Sequence, residues 1–235
     1  STNSMFSGCN SVTEIRNLDR LDPRNVVDSS RMFYQCRQLR SLDFGDWSSN
    51  KSSDMSQMFY GCSSLKTIHG TAGLVTAHAT TMRSMFQTCS SLTSLDVHEL
   101  WGFADVNGLN DCDTSHVRDF TSVFSDCASL TSIPRFSTAS AEQMHGMFSG
   151  CTGLTSVDMS QFDTSHATTF DYMLSGCTNL VSVVDAIDSN IELDNVNGMF
   201  ERCSNLQSVQ GLDSWDTSNV SDFGRMFQGC SSLTS

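Results

Sequence analysis

The segment Met58-Phe59-Tyr60-Gly61-Cys62-Ser63-Ser64-Leu65-Lys66-Thr67-Ile68 decides the fold, because its pattern returns along the whole chain. A Met-Phe-x-x-Cys block or a close variant occurs nine times. Its cysteines are Cys9, Cys36, Cys62, Cys89, Cys127, Cys151, Cys177, Cys203 and Cys230. Successive cysteines are 24 to 27 residues apart, except for one interval of 38. A fixed period of this length is typical of leucine-rich repeats, in which each repeat forms one coil of a stack.

Two apolar spacings alternate within each repeat. Upstream of the cysteine the spacing is i, i+3, i+4, i+7, as in the run from Met55 to Cys62, which is typical of one face of a short helix. Downstream, aliphatic residues stand three and six positions after the cysteine. A further apolar residue follows two positions later in several copies, as Phe44 follows Leu42, which is the alternation of a strand. Gly61 and its equivalents, just before the cysteine, are expected to be left-handed and to end the helix.

The sequence therefore predicts an α/β solenoid of leucine-rich-repeat type. We expect a right-handed stack with about 26 residues per coil, and one short parallel strand and one short helix in each. Residues 1–235 are interpreted as a single solenoid domain, because each coil contacts only its neighbours. Both ends cut through a repeat and no capping repeat is visible. We expect either a piece of a longer protein or open ends that stack on further copies.

The repeated positions predict ladders of buried side chains. The aromatic ladder comprises Phe6, Phe33, Phe59, Phe86, Phe124, Phe148, Phe200 and Phe227, and the thiol ladder includes Cys36, Cys62, Cys89, Cys151, Cys177 and Cys203. Cysteine as a small buried hydrophobe is favoured. Disulfides between coils satisfy the distance limits, but nine cysteines cannot pair completely. One cysteine per coil lacks the close ligand spacing of a zinc site, so neither a metal nor another cofactor is expected.

The pattern Met-Phe-x-Gly-Cys-x-x-Leu-x-Ser-Leu-Asp, followed by Phe-Asp-Thr-Ser-x-Val, resembles the BspA-like leucine-rich repeats of cell-surface proteins, also called the Mycoplasma-type lipoprotein repeat. The resemblance covers the whole chain, although the coils around Cys9, Cys127 and Cys177 depart from it in places. It implies an extracellular or surface-displayed, non-enzymatic protein that acts as an adhesin or binding module.

Charge narrows the choice of partners. With 26 acidic against 13 basic residues, the net charge of −13 argues against nucleic acid, because phosphate binding needs the opposite sign. Asp43, Asp96 and Asp158 share one repeat position after the second strand aliphatic, so we expect them on one exposed surface. Carboxylates are suitable calcium ligands. A solvated acidic face is favoured, because the glycine-aspartate nonapeptides of calcium-binding solenoids are absent.

The long interval carries an insertion near residues 98–111. Insertions in repeat proteins form loops on one face, which is sometimes the binding face. Trp101 and Phe103 are therefore the first candidates for contact with a partner. The alternative is that both side chains fold back over the coil edge and cover the core.

Catalysis is not expected, because the histidines lie in different coils and the repeated cysteines have the pattern of a core. Two interpretations compete. The first is a cell-surface or extracellular module that binds a protein or glycan on another surface. The second is a fibre or stalk in which uncapped coils stack end to end on further copies. Neither requires direct membrane insertion of this segment.

Overall fold

The computed structural model describes residues 1–44, 51–69, 76–93, 114–133, 136–184 and 194–234. Backbone pairing joins each coil to the coil that follows it in sequence, always in parallel, so the chain is a repeat solenoid. The insertion near residues 98–111, with Trp101 and Phe103, lies outside the described residues. So does Asp96.

Six short strands form two parallel sheets. Strands β1 (Glu14–Ile15), β2 (Ser41–Asp43) and β3 (Thr67–His69) form the first, and β4 (Ser156–Asp158), β5 (Ser182–Val184) and β6 (Ser208–Val209) form the second. Leu42 pairs in register with Ile68, and Val157 with Val183, so equivalent repeat positions face each other. These central aliphatic side chains are buried, which is the alternation that the sequence predicted.

A second ladder of parallel bridges runs beside the start of each Met-Phe-x-x-Cys block. It joins Asp28, Asp54, Thr81, Asp119, Gln143, Thr169, Asn195 and Asp222 in that order. The step from Thr81 to Asp119 spans the long interval. The amide of Phe86 still donates to the carbonyl of Val123 at 2.9 Å, as in the ordinary coils. The blocks on either side of the insertion therefore keep the same register.

The predicted helix upstream of each cysteine is wrong. The described part of the chain contains no α-helix, and the Met-Phe-x-x-Cys blocks are consecutive turns. An α-helix needs each amide to donate four residues back along its own segment. Here the amide of Tyr34 donates to Arg31 of its own coil, whereas the amide of Phe33 donates to Met58 of the next coil at 2.9 Å. Alternate amides of the block therefore bond to the next coil. In an α-helix these amides would bond within their own segment and could not join the coils.

The helices that the described residues do contain are 3-10 helices of three residues each. They span Leu18–Arg20, Pro23–Asn25, Met159–Gln161 and Leu212–Ser214. All four lie downstream of the cysteine in their coil and follow the strand in sequence, whereas the predicted helix lies upstream of the cysteine.

Two left-handed residues recur in every coil, one and five positions before the cysteine. Gly61 (φ 72°) and Gln57 (φ 56°) show the pair in one coil. The left-handed conformation predicted just before the cysteine is confirmed, but it closes a turn instead of ending a helix. Gln35 (φ 55°) and Thr88 (φ 61°) adopt it too, although it costs a residue with a Cβ about 1–2 kcal/mol. The bonds to the next coil impose it on every residue type.

The core is a column of stacked rings and apolar side chains. Consecutive rings from Phe6 to Phe148 stack with centroids 5.2 to 5.6 Å apart. Leu174 takes the next place, and Phe200 and Phe227 stack again beyond it at 5.4 Å. Phe33, Phe59, Phe86, Phe124, Phe148 and Phe200 are buried, and Phe6 and Phe227 are partly buried. Stacked aromatic pairs contribute about 0.5–1.5 kcal/mol each beyond the burial of area.

Candidate binding surfaces and the cysteine ladder

The repeated cysteines form a column of free thiols beside the rings. All nine are unpaired, and the seven from Cys36 to Cys203 are buried. Each thiol from Cys36 onward donates to the carbonyl three residues before the cysteine of the preceding coil. Cys62 Sγ lies 3.1 Å from the Phe33 oxygen, and Cys203 Sγ lies 3.1 Å from the Leu174 oxygen. Eight such bonds run along the stack. Cysteine therefore supplies a small apolar side chain and one weak donor.

Burial keeps these thiols protonated. It raises the pKa of Cys127 and of Cys203 to about 12, and raises the pKa of Cys89 well above its ordinary value. A nucleophile or a metal ligand must be a thiolate, which requires a lowered pKa. The ladder therefore has the chemistry of a core and not that of a reactive site.

We expect Cys89→Ala to lower the free energy of unfolding by about 1–2 kcal/mol, because it removes a buried donor and leaves a small void. Urea denaturation measures this loss. Cys230→Ala is the matched control, because Cys230 makes the same bond at 3.1 Å but is only partly buried. A Cys89→Ala protein as stable as the parent would show that the thiol bond contributes nothing.

The two described strand-end aspartates, Asp43 and Asp158, lie at the ends of different strands. Asp43 at the end of β2 pairs in register with His69, and Asp158 at the end of β4 pairs with Val184. The two carboxylates belong to different sheets, and the structure does not bring them together. Asp158 Oδ1 accepts from the Ser160 amide at 3.0 Å and from the Ser160 hydroxyl at 2.6 Å. This carboxylate therefore caps the 3-10 helix that follows it.

Other aspartates and one asparagine accept a bond from the amide two residues later in the same way. Asp119 Oδ1 accepts from the Thr121 amide at 2.9 Å, and equivalent bonds form at Asp28, Asp54, Asn195 and Asp222 along the bridge ladder. In the Asp-Thr-Ser segments, Asp163 accepts from the Ser165 hydroxyl and amide, which lowers the pKa of Asp163. Within the described ranges, no three histidine, cysteine, aspartate or glutamate side chains converge as a metal site.

An open groove of about 440 Å³ crosses the corner of the stack where the cysteines follow their left-handed residues. It is lined by residues directly before the cysteine (Gln35, Gly61, Thr88) and directly after it (Arg37, Ser63, Ser90). Tyr60 and Asp126 complete it. The sequence interpretation did not single out this corner. The only available signal was that Gln35 and Thr88 replace the glycine that most coils carry there.

Regular parallel coils, stacked rings and inward aliphatic side chains define a leucine-rich-repeat-like solenoid. The chain belongs to the family described as "Mycoplasma protein of unknown function, DUF285", whose model matches residues 1–112, 97–209 and 189–235. This agrees with the resemblance to Mycoplasma-type repeats, whereas the BspA-like assignment stays a prediction. Comparison with curated proteins finds no match.

Solved structures of bacterial repeat proteins are similar to the chain. A T. pallidum leucine-rich repeat protein is 18% identical, with 95% of this chain and 72% of that chain covered and a TM-score of 0.39. A leucine-rich cell-surface protein of Faecalibacterium prausnitzii is 15% identical, with 91% and 87% covered and a TM-score of 0.31. A leucine-rich repeat protein of Eubacterium ventriosum is 14% identical, with 95% and 84% covered and a TM-score of 0.40.

Across the described segments, no helix has the length and the apolar character needed to cross a membrane.

Proposed function

We propose that the chain is a non-enzymatic, BspA-like repeat protein, displayed at a cell surface or outside the cell, that binds a protein or glycan on another surface. In this proposal the solenoid is right-handed, with about 26 residues per coil as in other leucine-rich repeats. The observation that carries the proposal is the open groove on the corner of the stack. Small-ligand sites are concave and carry a few polar groups that orient the ligand.

The backbone of this corner is held rigidly by the stacking bonds. The amide of Gln35 donates to the Tyr60 carbonyl at 2.6 Å, that of Gly61 to Gln87 at 2.9 Å, and that of Thr88 to Ser125 at 2.8 Å. These bonds fix the backbone positions of the lining residues before a ligand binds. Preorganisation of this kind lowers the entropic cost of association and favours a binding role.

The absence of catalysis is also part of the proposal. Protonated, buried thiols support it, because a cysteine nucleophile must reach its substrate as a thiolate. Asp163 and Asp158 are occupied by amide and hydroxyl donors within their own turns, which favours a structural role for these carboxylates.

The proposal is tested with the purified chain coupled to beads and passed over immobilised matrix glycoproteins and glycans. We expect retention on at least one of these surfaces. If the insertion contributes, Trp101→Ala combined with Phe103→Ala should weaken retention at least tenfold, because tryptophan is enriched among the residues that dominate binding energies. Val27→Ala combined with Val181→Ala is the control, since both are exposed apolar residues outside the insertion. Failure of the beads to bind any of the surfaces would contradict a binding function.

The second candidate is a fibre or stalk in which coils of separate copies stack end to end. It is favoured by the aromatic column itself, in which equivalent rings stack from coil to coil, because coils of another copy could stack in the same way. Light scattering and negative-stain imaging over a concentration series distinguish the two functions. Filaments that lengthen with concentration would favour the fibre, and rods of constant mass would exclude it.

A further inference from the structure

We propose that the groove at the corner of the stack binds a short neutral oligosaccharide. This inference rests on the proposed binding function and deepens it, because it names the site and the class of ligand. The site is separate from the insertion and from the strand-end aspartates. It is made by side chains of four consecutive coils, those of Cys36, Cys62, Cys89 and Cys127.

Within the groove, one coil lacks a side chain where its neighbours have one. Gly61 stands between Gln35 and Thr88 in the row of left-handed residues. A Cβ built at Gly61 would lie 3.2 Å from Gln35 Cγ and 3.7 Å from Thr88 Oγ1. A side chain at this position would therefore press on Gln35, which lines the groove, and we call this narrow gap between Gln35 and Thr88 the notch.

Hydroxyl groups along the notch present acceptors to a ligand. Thr88 Oγ1 donates its proton to the Gln87 carbonyl at 2.7 Å, and Ser90 Oγ donates to the Ser63 carbonyl at 3.4 Å. Ser63 Oγ reaches the Arg37 carbonyl in the same way at 3.5 Å. A hydroxyl has one donor and two acceptor lone pairs, so these oxygens keep acceptor capacity after their protons are used. A row of acceptors is complementary to a ligand rich in O–H donors, which is the chemistry of a sugar.

Charge in the groove is balanced. Arg37 supplies one positive group and Asp126 one negative group. Both can hydrogen bond to sugar hydroxyls, the guanidinium as donor and the carboxylate as acceptor. Because the chain has a net charge of −13, an anionic sugar would be repelled over a longer range. A neutral sugar fits both the local balance and the overall charge.

An aromatic pair borders the site. The ring of Tyr60 stacks on that of Tyr34 with centroids 5.0 Å apart and an interplanar angle of 12°. Gln35 Nε2 donates to Tyr34 Oη at 3.4 Å, which links the pair to the row of left-handed residues. A tyrosine held in this way offers an apolar surface to the C–H groups of a sugar and a hydroxyl to its oxygens.

The size of the groove favours an oligosaccharide over a protein. A volume of about 440 Å³ lies in the range of about 300–1,000 Å³ that is usual for small-ligand sites. A stable protein interface buries about 800 Å² on each partner, which is far more than this groove offers. Ser63 and Ser90 occupy the same repeat position in two adjacent coils and both line the groove, so two consecutive sugar units can each meet a serine hydroxyl.

The test is isothermal titration calorimetry of the full chain with four uncharged tetrasaccharides: cellotetraose, chitotetraose, maltotetraose and mannotetraose. We expect at least one to bind, and we expect Gly61→Asn to weaken that binding at least tenfold by filling the notch. Asparagine is chosen because it tolerates the left-handed conformation. Gly176→Asn is the matched control. Gly176 holds the same repeat position with φ 73° against 72°, and only the backbone of Gly150 lies near its Cβ, at 3.7 Å.

A second variant protects the test against misfolding. Thr88→Val keeps the shape of the side chain and removes its acceptor oxygen, so we expect it to weaken binding at least threefold with an unchanged melting temperature. Lack of binding by all four sugars at millimolar concentration would overturn the inference, as would tighter binding of a sialylated tetrasaccharide. Sugar binding that is unchanged in both Gly61→Asn and Thr88→Val would place the sugar site outside the groove, and the proposed function would still stand. If the beads that carry the chain are retained on none of the immobilised surfaces, the proposed function itself is contradicted.

Discussion

Phe148→Asp is expected to abolish the cooperative thermal unfolding transition of the chain at neutral pH. Phe148 is fully buried, and its ring stacks on Phe124 at 5.6 Å and lies 6.1 Å from the ring of Phe162. Truncation of a buried phenylalanine alone costs about 3–5 kcal/mol. An unpaired carboxylate in the same place adds the cost of removing a charge from water. Since the total stability of a domain is about 5–15 kcal/mol, the sum is comparable with all of it.

Circular dichroism on heating measures this effect. Val27→Asp is the control, because it introduces the same charge at an apolar residue that is 54% exposed. We expect the control to melt within a few degrees of the parent. In a solenoid each coil is stabilised mainly by its two neighbours, so the damage should begin at the coils of Phe124 and Leu174 and spread outward. An unchanged melting temperature for Phe148→Asp would contradict the aromatic column.

The sequence was sufficient to predict that the coils stack in parallel, but it was not sufficient to predict the path of the chain within one coil. The period and the aliphatic pairs predicted parallel coils, because equivalent residues such as Leu42 and Ile68 must meet if coils stack. The helix was predicted wrongly because Met55, Met58 and Phe59 have helical spacing, yet successive turns around the same core bury the same three residues. Apolar spacing reports which side chains face inward. It does not report whether an amide donates within its coil or to the next one.

Sites were harder to predict than the fold, for a related reason. The shared position of Asp43 and Asp158 indicated one acidic face, but a shared position brings side chains together only when the coils are neighbours in one sheet. The groove was not predicted because it depends on a glycine between two larger residues of adjacent coils and on which carbonyl accepts the hydrogen bond of each hydroxyl. The first of these can be found by aligning repeats on their cysteines, and the second needs coordinates.

The chain is expected to lose stability steeply as the pH rises above about 9, because of the thiol ladder. Burial raises the pKa of Cys127 and of Cys203 to about 12, and raises the pKa of Cys36, Cys89 and Cys151 above the ordinary value. Above about pH 9 the unfolded chain gives up thiol protons that the folded chain retains. The unfolded state then binds fewer protons, so the free energy of unfolding falls as pH rises. Below that pH both states are protonated and the thiols contribute no slope.

Each buried thiol contributes about 1.4 kcal/mol for every pH unit in this window, and several act together, so unfolding is expected near pH 10. Urea midpoints measured from pH 7.5 to 10.5 give the slope, and the slope gives the number of protons released on unfolding. The double variant Cys89→Ala, Cys151→Ala is the control. It removes two buried thiols and no other titratable group, so it should reduce the released protons by close to two. An equal slope in parent and variant would mean that the buried column is not the origin of alkaline unfolding.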